Sequence, residues 1–306
     1  MMNSEEIKQT LINTREARSP GKPLKENTLN NNTKMVLKLQ SQMSDPNWLY
    51  NIDEIEKVIE SYSTSTKKNY LSLVLQMVHS SDNESYKNEL VKKIQFHSQV
   101  KNSNEKQNII SPKKQEQKSM TMDDIDKLIE LLLDNNNVKD AMILHILKVF
   151  PIRAEVGTLK LISKYRYDKI KGTMPKENYL IRNKNSLILS RNNYKTAEVY
   201  GRKEDKITGH LKEMLLDYIE NNMGAGESVF GYTEQELSKR LSYISQKYIG
   251  TSLSVNAIAK INIEDGLKKI NDKDPMVRVN KIKSYLEKVG EIRGTSVQVL
   301  FNNYIN

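Results

Sequence analysis

Apolar residues recur at helical spacing through most of this chain and at strand spacing in only one stretch of it. Ile52, Ile55, Val58 and Ile59 stand at i, i+3, i+6 and i+7, one face of a short helix. Ser63-Thr64-Ser65-Thr66 offers N-cap oxygens to the segment Lys67 to Val78, whose inward stripe is Tyr70, Leu73, Val74 and Met77. Leu90, Val91 and Ile94 mark a third helix. Further on, Thr121 caps a helix through Leu133 with Ile125, Leu128, Ile129 and Leu132 inward, and another runs from Val138 to Phe150, where Pro151 stops it. Between 178 and 210 the period falls towards two. Tyr179 to Ile181, Ser186 to Ser190, a polar turn at Arg191-Asn192-Asn193 and then Tyr194 to Tyr200 predict a small antiparallel sheet. Helical spacing returns with Leu211, Met214, Leu215, Tyr218 and Ile219, then over Leu237 to Tyr248, 254–270 and Ile282 to Val289, with Gly224, Gly226 and Gly231 marking a loop.

These patterns divide the chain. Residues 1–44 read as a polar arm, because Ser19-Pro20-Gly21-Lys22-Pro23 and Asn30-Asn31-Asn32 oppose regular structure. A small helical domain follows over 45–100. Residues 101–118, nearly free of large apolar side chains and carrying Lys113 and Lys114, read as a basic linker. The rest, 119–306, is α+β and mostly helical.

Charge adds a partner class. With 48 Lys+Arg against 38 Asp+Glu, the net charge of +10 favours a polyanion, since neutralised phosphates release counterions. A solvated Lys/Glu surface gives the same balance. There are no cysteines and only four scattered histidines, which removes disulfides and thiolate sites and argues against a zinc centre. No metal and no cofactor are expected. Met1-Met2-Asn3-Ser4-Glu5-Glu6 lacks an apolar signal core, and the longest apolar runs are too short for a bilayer. The expectation is a soluble, intracellular protein with no membrane partner.

Three residues from position 153 onward carry candidate chemistry. Arg153 follows a helix and a proline; its guanidinium fits two phosphate oxygens, although an Arg-x-Glu with Glu155 is commonly a structural ion pair. Lys195 stands just past a hairpin turn, where a lysine usually guards a sheet edge but can also serve as general acid to a leaving oxygen. Tyr304 ends Val299-Leu300-Phe301-Asn302-Asn303-Tyr304; such a tyrosine is ordinarily an aromatic packed on a terminal helix, and as a nucleophile it would attack phosphorus.

Taken in order, these segments resemble the tyrosine recombinases, the integrase-type DNA strand transferases, in the form associated with viruses and mobile elements. Pro151-Ile152-Arg153-Ala154-Glu155-Val156 is similar to the motif of the first catalytic arginine, and Asn193-Tyr194-Lys195-Thr196 to the hairpin of the catalytic lysine. Arg293-Gly294-Thr295-Ser296, with Tyr304 nine residues after Thr295, has the spacing of the Gly-His-Ser segment and nucleophile. Ser63 to Val78 resembles the core-binding helix, with Lys67 and Lys68 as DNA contacts. The likeness covers about 45–306. It departs at the His-x-x-Arg motif, where Asn256 stands for the histidine and Ala259 for the second arginine, and at Thr295, which stands for the later histidine.

The resemblance implies a helical, SAM-like core-binding domain and a tyrosine-recombinase catalytic domain closing as a C-shaped clamp on duplex DNA. It implies DNA recombination or integration through a 3′-phosphotyrosyl intermediate, with Tyr304 as nucleophile, Arg153 as phosphate clamp and Lys195 as general acid. Lys260, Asn256, Thr295 and Glu155 would be auxiliary, and Lys67, Lys68, Lys113 and Lys114 would contact DNA. Partners would be duplex DNA and further copies of the protein, as a tetramer. The alternative is a catalytically impaired DNA-binding accessory protein on the same fold.

Overall fold

The computed structural model describes residues 1–106, 112–173, 175–222 and 227–304. Its internal packing separates two units, Met1–Ile110 and Ser111–Asn306.

The first unit is helical: α1 (Ser4–Arg18), α2 (Glu26–Gln40), α3 (Ile52–Ile59), α4 (Thr64–Met77) and α5 (Glu84–Lys106). Its core joins Ile7 and Leu11 of α1 and Val36 and Leu39 of α2 to Ile55, Leu71, Val74 and Leu90. The polar-arm reading of residues 1–44 is therefore corrected. Asn3 and Glu6 form a capping box on α1, Gln40 bonds both backbone groups of Met2, and Thr14 Oγ1 donates to Gln76 O of α4. Ile7 and Leu11 bury one apolar residue per turn, too sparse a stripe to stand out among so many Asn, Lys and Glu.

Helix α5 extends through Lys106 and α6 spans Pro112–Ser119, so the stretch 101–118, read as a linker, is helical at both ends among the described residues. The side chains of Lys113 and Lys114 lie outside the described residues.

The second unit is α+β and dominated by helices. After α7 (Met122–Asp134) and α8 (Val138–Val149), a 3-10 turn at Ala154–Thr158 leads into β1 (Lys160–Ser163) and α9 (Lys164–Ile170). Then come β2 (Tyr179–Asn183), β3 (Ser186–Arg191), the single turn α10 (Ala197–Tyr200) and β4 (Lys203–Ile207). Helices α11 (Gly209–Asn222), α12 (Glu234–Ile249), α13 (Val255–Lys268), α14 (Pro275–Arg293) and α15 (Val297–Tyr304) complete it. Leu128, Leu144, Leu215, Leu241 and Ile258 from five helices meet Leu180 and Leu189 of the sheet in one core. Each such side chain contributes roughly 1.5–3 kcal/mol on burial. A smaller cluster, Ile263, Leu286, Val289 and Leu300, fastens α14 and α15 to α13.

The sheet runs β1-β2-β3-β4 and is mixed, because β1 pairs parallel with β2 while the other two pairs are antiparallel. Two expectations change. The all-antiparallel sheet is not observed, since the four-residue β1 is too short to announce itself by alternation. Residues 194–200 are not a strand: Tyr194 to Thr196 form a loop leading into α10, and the strand that returns is β4. Lys203-Glu204-Asp205-Lys206 has almost no apolar alternation, as suits a charged edge strand, so the apparent period of two slides upstream onto the tyrosines.

Candidate active site at the last interhelical turn

Helix α8 ends before Pro151, which has no N–H to continue it, and Arg153 follows in extended conformation. This sets the guanidinium of Arg153 against the far end of the chain. Its Nη1 donates to the carbonyl of Arg293 at 2.8 Å. Arg293, the last residue of α14, answers by donating its own Nη1 to Pro151 O at 2.8 Å and its Nη2 to Asn256 Oδ1 at 2.8 Å. Two arginines about 140 residues apart are thus locked as neighbours by reciprocal side-chain-to-backbone bonds. Burial lowers the pKa of Arg293, and the charge of Arg153 adds to that. Two cations this close are costly unless an anion joins them.

Tyr304 lies on the inner face of α15 with Val297 and Leu300, half-buried against the small C-terminal cluster. Burial raises the pKa of its phenol, while the nearby Arg293 guanidinium pulls it back. The neighbouring Tyr285, half-buried and within reach of the Asp265 charge, is pushed up to about 12. Asn256, Lys260 and Glu264 fall at i, i+4 and i+8 on one face of α13. Asn256 holds Arg293, Lys260 pairs with Glu264 at 3.5 Å, and the charge of Glu264 acts on Tyr304.

Lys195 arrives on the β3–β4 loop. Buried Asn178 fixes the start of that loop, accepting from the backbone N–H groups of Asn192 and Asn193 and donating to Asn193 O. Tyr194 is buried and bonds Gly201 O, and Thr196 Oγ1 donates to Gly294 O at 2.5 Å. Gly294 is the left-handed cap of α14 (φ 59°). A Cβ there would stand 2.4 Å from Cε2 of Tyr194. Lys195 is exposed between two residues that both touch this turn.

Glu155 is buried, and its partner is Arg191, not Arg153. Arg191 is wholly buried, pairs also with Asp205 at 2.8 Å, lies over the Tyr194 ring and, among the described residues, finds no partner for its Nε. This network supports the loop from below. Thr295 falls between Gly294 and Ser296 in the α14–α15 link, its N–H donating to Gly290 O.

Ala259 departs from expectation. The family register would turn it into the cavity of Arg153, yet it is completely buried beside Ile258 and Ile263 on the inner side of α13. Its neighbour Lys260 shares the outward face with Asn256. In the first unit, Lys67 and Lys68 stand near the start of α4, and Lys67 lines a depression with Glu56, Glu60 and His97. Sequence reasoning assigns no role to Arg293, Arg191 or Asn178. Arg293 alone has a signal, its place directly before the Gly-Thr-Ser segment.

Beside Arg153 opens a cleft of about 480 Å³ lined by Glu234, Gln235, Ser238, Lys239 and Ser254 to Asn256. Lys239 also borders the next depression, with Ser242, Tyr243, Gln246, Lys247 and Ser252.

No protein-family model matches the sequence, and no curated protein matches it. A solved structure described as the crystal structure of XerA recombinase is similar over 97% of this chain and 92% of that one, at 12% identity and a TM-score of 0.38. A likeness that loose decides nothing about this chain.

Proposed function

We propose that this chain is a tyrosine-type DNA strand transferase, a site-specific recombinase or integrase. The observation that carries the reading is the reciprocal Arg153–Arg293 pair, set beside Tyr304 and under the loop of Lys195. Tyr304 Oη attacks the scissile phosphorus and releases its phenolic proton to solvent. The bond from phosphorus to the 5′-oxygen breaks, and the Lys195 ammonium protonates that oxygen. Among the described residues, Nε and Nη2 of Arg153 have no hydrogen-bond partner, and they donate to the non-bridging oxygens, whose charge grows in the transition state. The product is a 3′-phosphotyrosyl ester and a free 5′-hydroxyl. Attack by another strand's 5′-hydroxyl reverses the step, so no cofactor is consumed.

Glu155 acts indirectly, by holding Arg191 beneath Tyr194. Lys260 and Thr295 are auxiliary groups in this reading. Duplex DNA is the partner, and strand exchange calls for further copies of the protein, a tetramer at the synapse. The outer face of α12, with Gln235, Ser238, Lys239, Ser242, Tyr243, Gln246 and Lys247, carries donors beyond the carboxylate of Glu234 in its first turn, which suits a phosphate backbone. Lys67, Lys68, Lys113 and Lys114 are proposed as further contacts.

Incubation with a nicked duplex in EDTA should give an SDS-resistant protein–DNA adduct that Tyr304→Phe abolishes. An adduct that persists in Tyr304→Phe names another nucleophile and defeats this assignment. Duplex affinity should fall steeply between about 50 and 200 mM salt, as for a protein with several phosphate contacts. Salt-sensitive binding with no adduct would instead describe the DNA-binding accessory protein.

A further inference from the structure

The recombinase pattern asks for two arginines on the scissile phosphate, and the α13 position that would supply the second is the buried Ala259. We infer that Arg293 is that second clamp, delivered from the end of α14. The inference rests on the recombinase reading and adds to it a residue at a position outside the family motif.

Four observations support it. Arg293 is directly bonded to the Arg153 segment in both directions, which holds the two side chains at one junction of the chain. Its orientation is fixed by Pro151 O and Asn256 Oδ1, which use two of its five N–H donors, and among the described residues its Nε has no hydrogen-bond partner. Neither arginine is in a salt bridge among the described residues, whereas Arg191 and Arg240 are each tied to an aspartate at 2.8 and 2.6 Å. Glu234 borders Arg153 and Glu155 acts on Arg293 at longer range, but neither forms an ion pair with an arginine of the pair among the described residues. Finally, Tyr304, at the far end of α15, sits within electrostatic reach of Arg293 at the end of α14. The same geometry gives Asn256 a function. At the position of the family's histidine, it is the side chain that aims Arg293.

The test measures adduct formation on a nicked duplex bearing either an ordinary scissile phosphate or a methylphosphonate, which lacks the non-bridging charge. On phosphate, Arg293→Ala should slow the adduct by about 10²–10³, the usual cost of one donor to a developing oxyanion. Arg293→Lys should fall between, since it keeps charge without the fork. On methylphosphonate the deficit of both variants should shrink to less than about tenfold, because the charge they neutralise is gone. A purely structural role predicts equal deficits on both substrates, and that result would overturn the inference. So would an Arg293→Ala protein as fast as wild type. If Arg293→Ala does not fold, Arg293→Lys decides by the same comparison. Absence of any adduct from the wild-type protein is a different failure, that of the recombinase reading itself.

Discussion

Replacing Gly294 with alanine tests whether the Lys195 loop is seated on the α14–α15 turn. Two costs combine. At φ 59° and ψ 57° the backbone is left-handed, where an L side chain costs about 1–2 kcal/mol. The new Cβ would also lie 2.4 Å from Cε2 of Tyr194 and 3.0 Å from Oγ1 of Thr196. Tyr194 is 4% exposed and held by its bond to Gly201 O, so its ring cannot simply turn away. Overpacking of this kind costs about 1–3 kcal/mol.

Gly250 separates the two. It is the left-handed cap of α12, at φ 73°, and a Cβ there meets nothing within 4 Å. Gly250→Ala should therefore cost only the backbone part, and Gly294→Ala about 1–3 kcal/mol more. At about 2–4 °C per kcal/mol for a unit of this size, thermal unfolding should separate them by roughly 2–12 °C. With Tyr194→Ala in place the excess should vanish, a coupling of about 1–3 kcal/mol. Equal losses for Gly294→Ala and Gly250→Ala, or strict additivity with Tyr194→Ala, would refute the seating of the loop.

Two other outcomes follow from the site. Because burial raises the Tyr304 phenol above its ordinary pKa, the attacking phenolate is scarce at neutral pH and grows as protons are withdrawn. Adduct formation should thus climb about tenfold per pH unit between roughly pH 6 and 9, and a flat profile would mean that phenol ionisation does not limit the step. Ala259→Arg should yield an unfolded or insoluble protein with no gain in cleavage, since it drives an unpaired charge into a closed core; a folded variant with faster cleavage would restore the family register.

The parts legible in the sequence are those whose cause is local. Helix α7 announces itself by the Thr121–Asp124 capping box and the Ile125, Leu128, Ile129, Leu132 stripe, all within one window. Arg153, Lys195 and Tyr304 are visible through motif order. What stays hidden depends on residues far apart. Arg293 looks like an ordinary basic residue closing a helix, favourable there on dipole grounds alone, until its contacts with Pro151 and Asn256 are seen. Arg191 reads as a polar turn residue, but the fold closes Glu155, Asp205 and Tyr194 around it. The strand β4 does not show because a charged edge needs no apolar face. Helices α1 and α2 escape for a related reason, a stripe too narrow to register.

The site has one point of convergence, the pair Arg293–Gly294. Arg153 reaches the carbonyl of Arg293, Thr196 reaches the carbonyl of Gly294, and Asn256 receives the Arg293 side chain. The connections from Arg153 and Thr196 end on main-chain atoms, so they report where the backbone is and not which side chain it bears. Tyr304 follows on an eight-residue helix, too short to persist alone in water and held by Val297, Leu300 and its own ring. Packing of that helix therefore sets the position of the turn, and the turn sets the acceptors that aim Arg153 and the Lys195 loop. If α15 lifts from the C-terminal cluster, Tyr304, Arg153 and the Lys195 loop lose their register together.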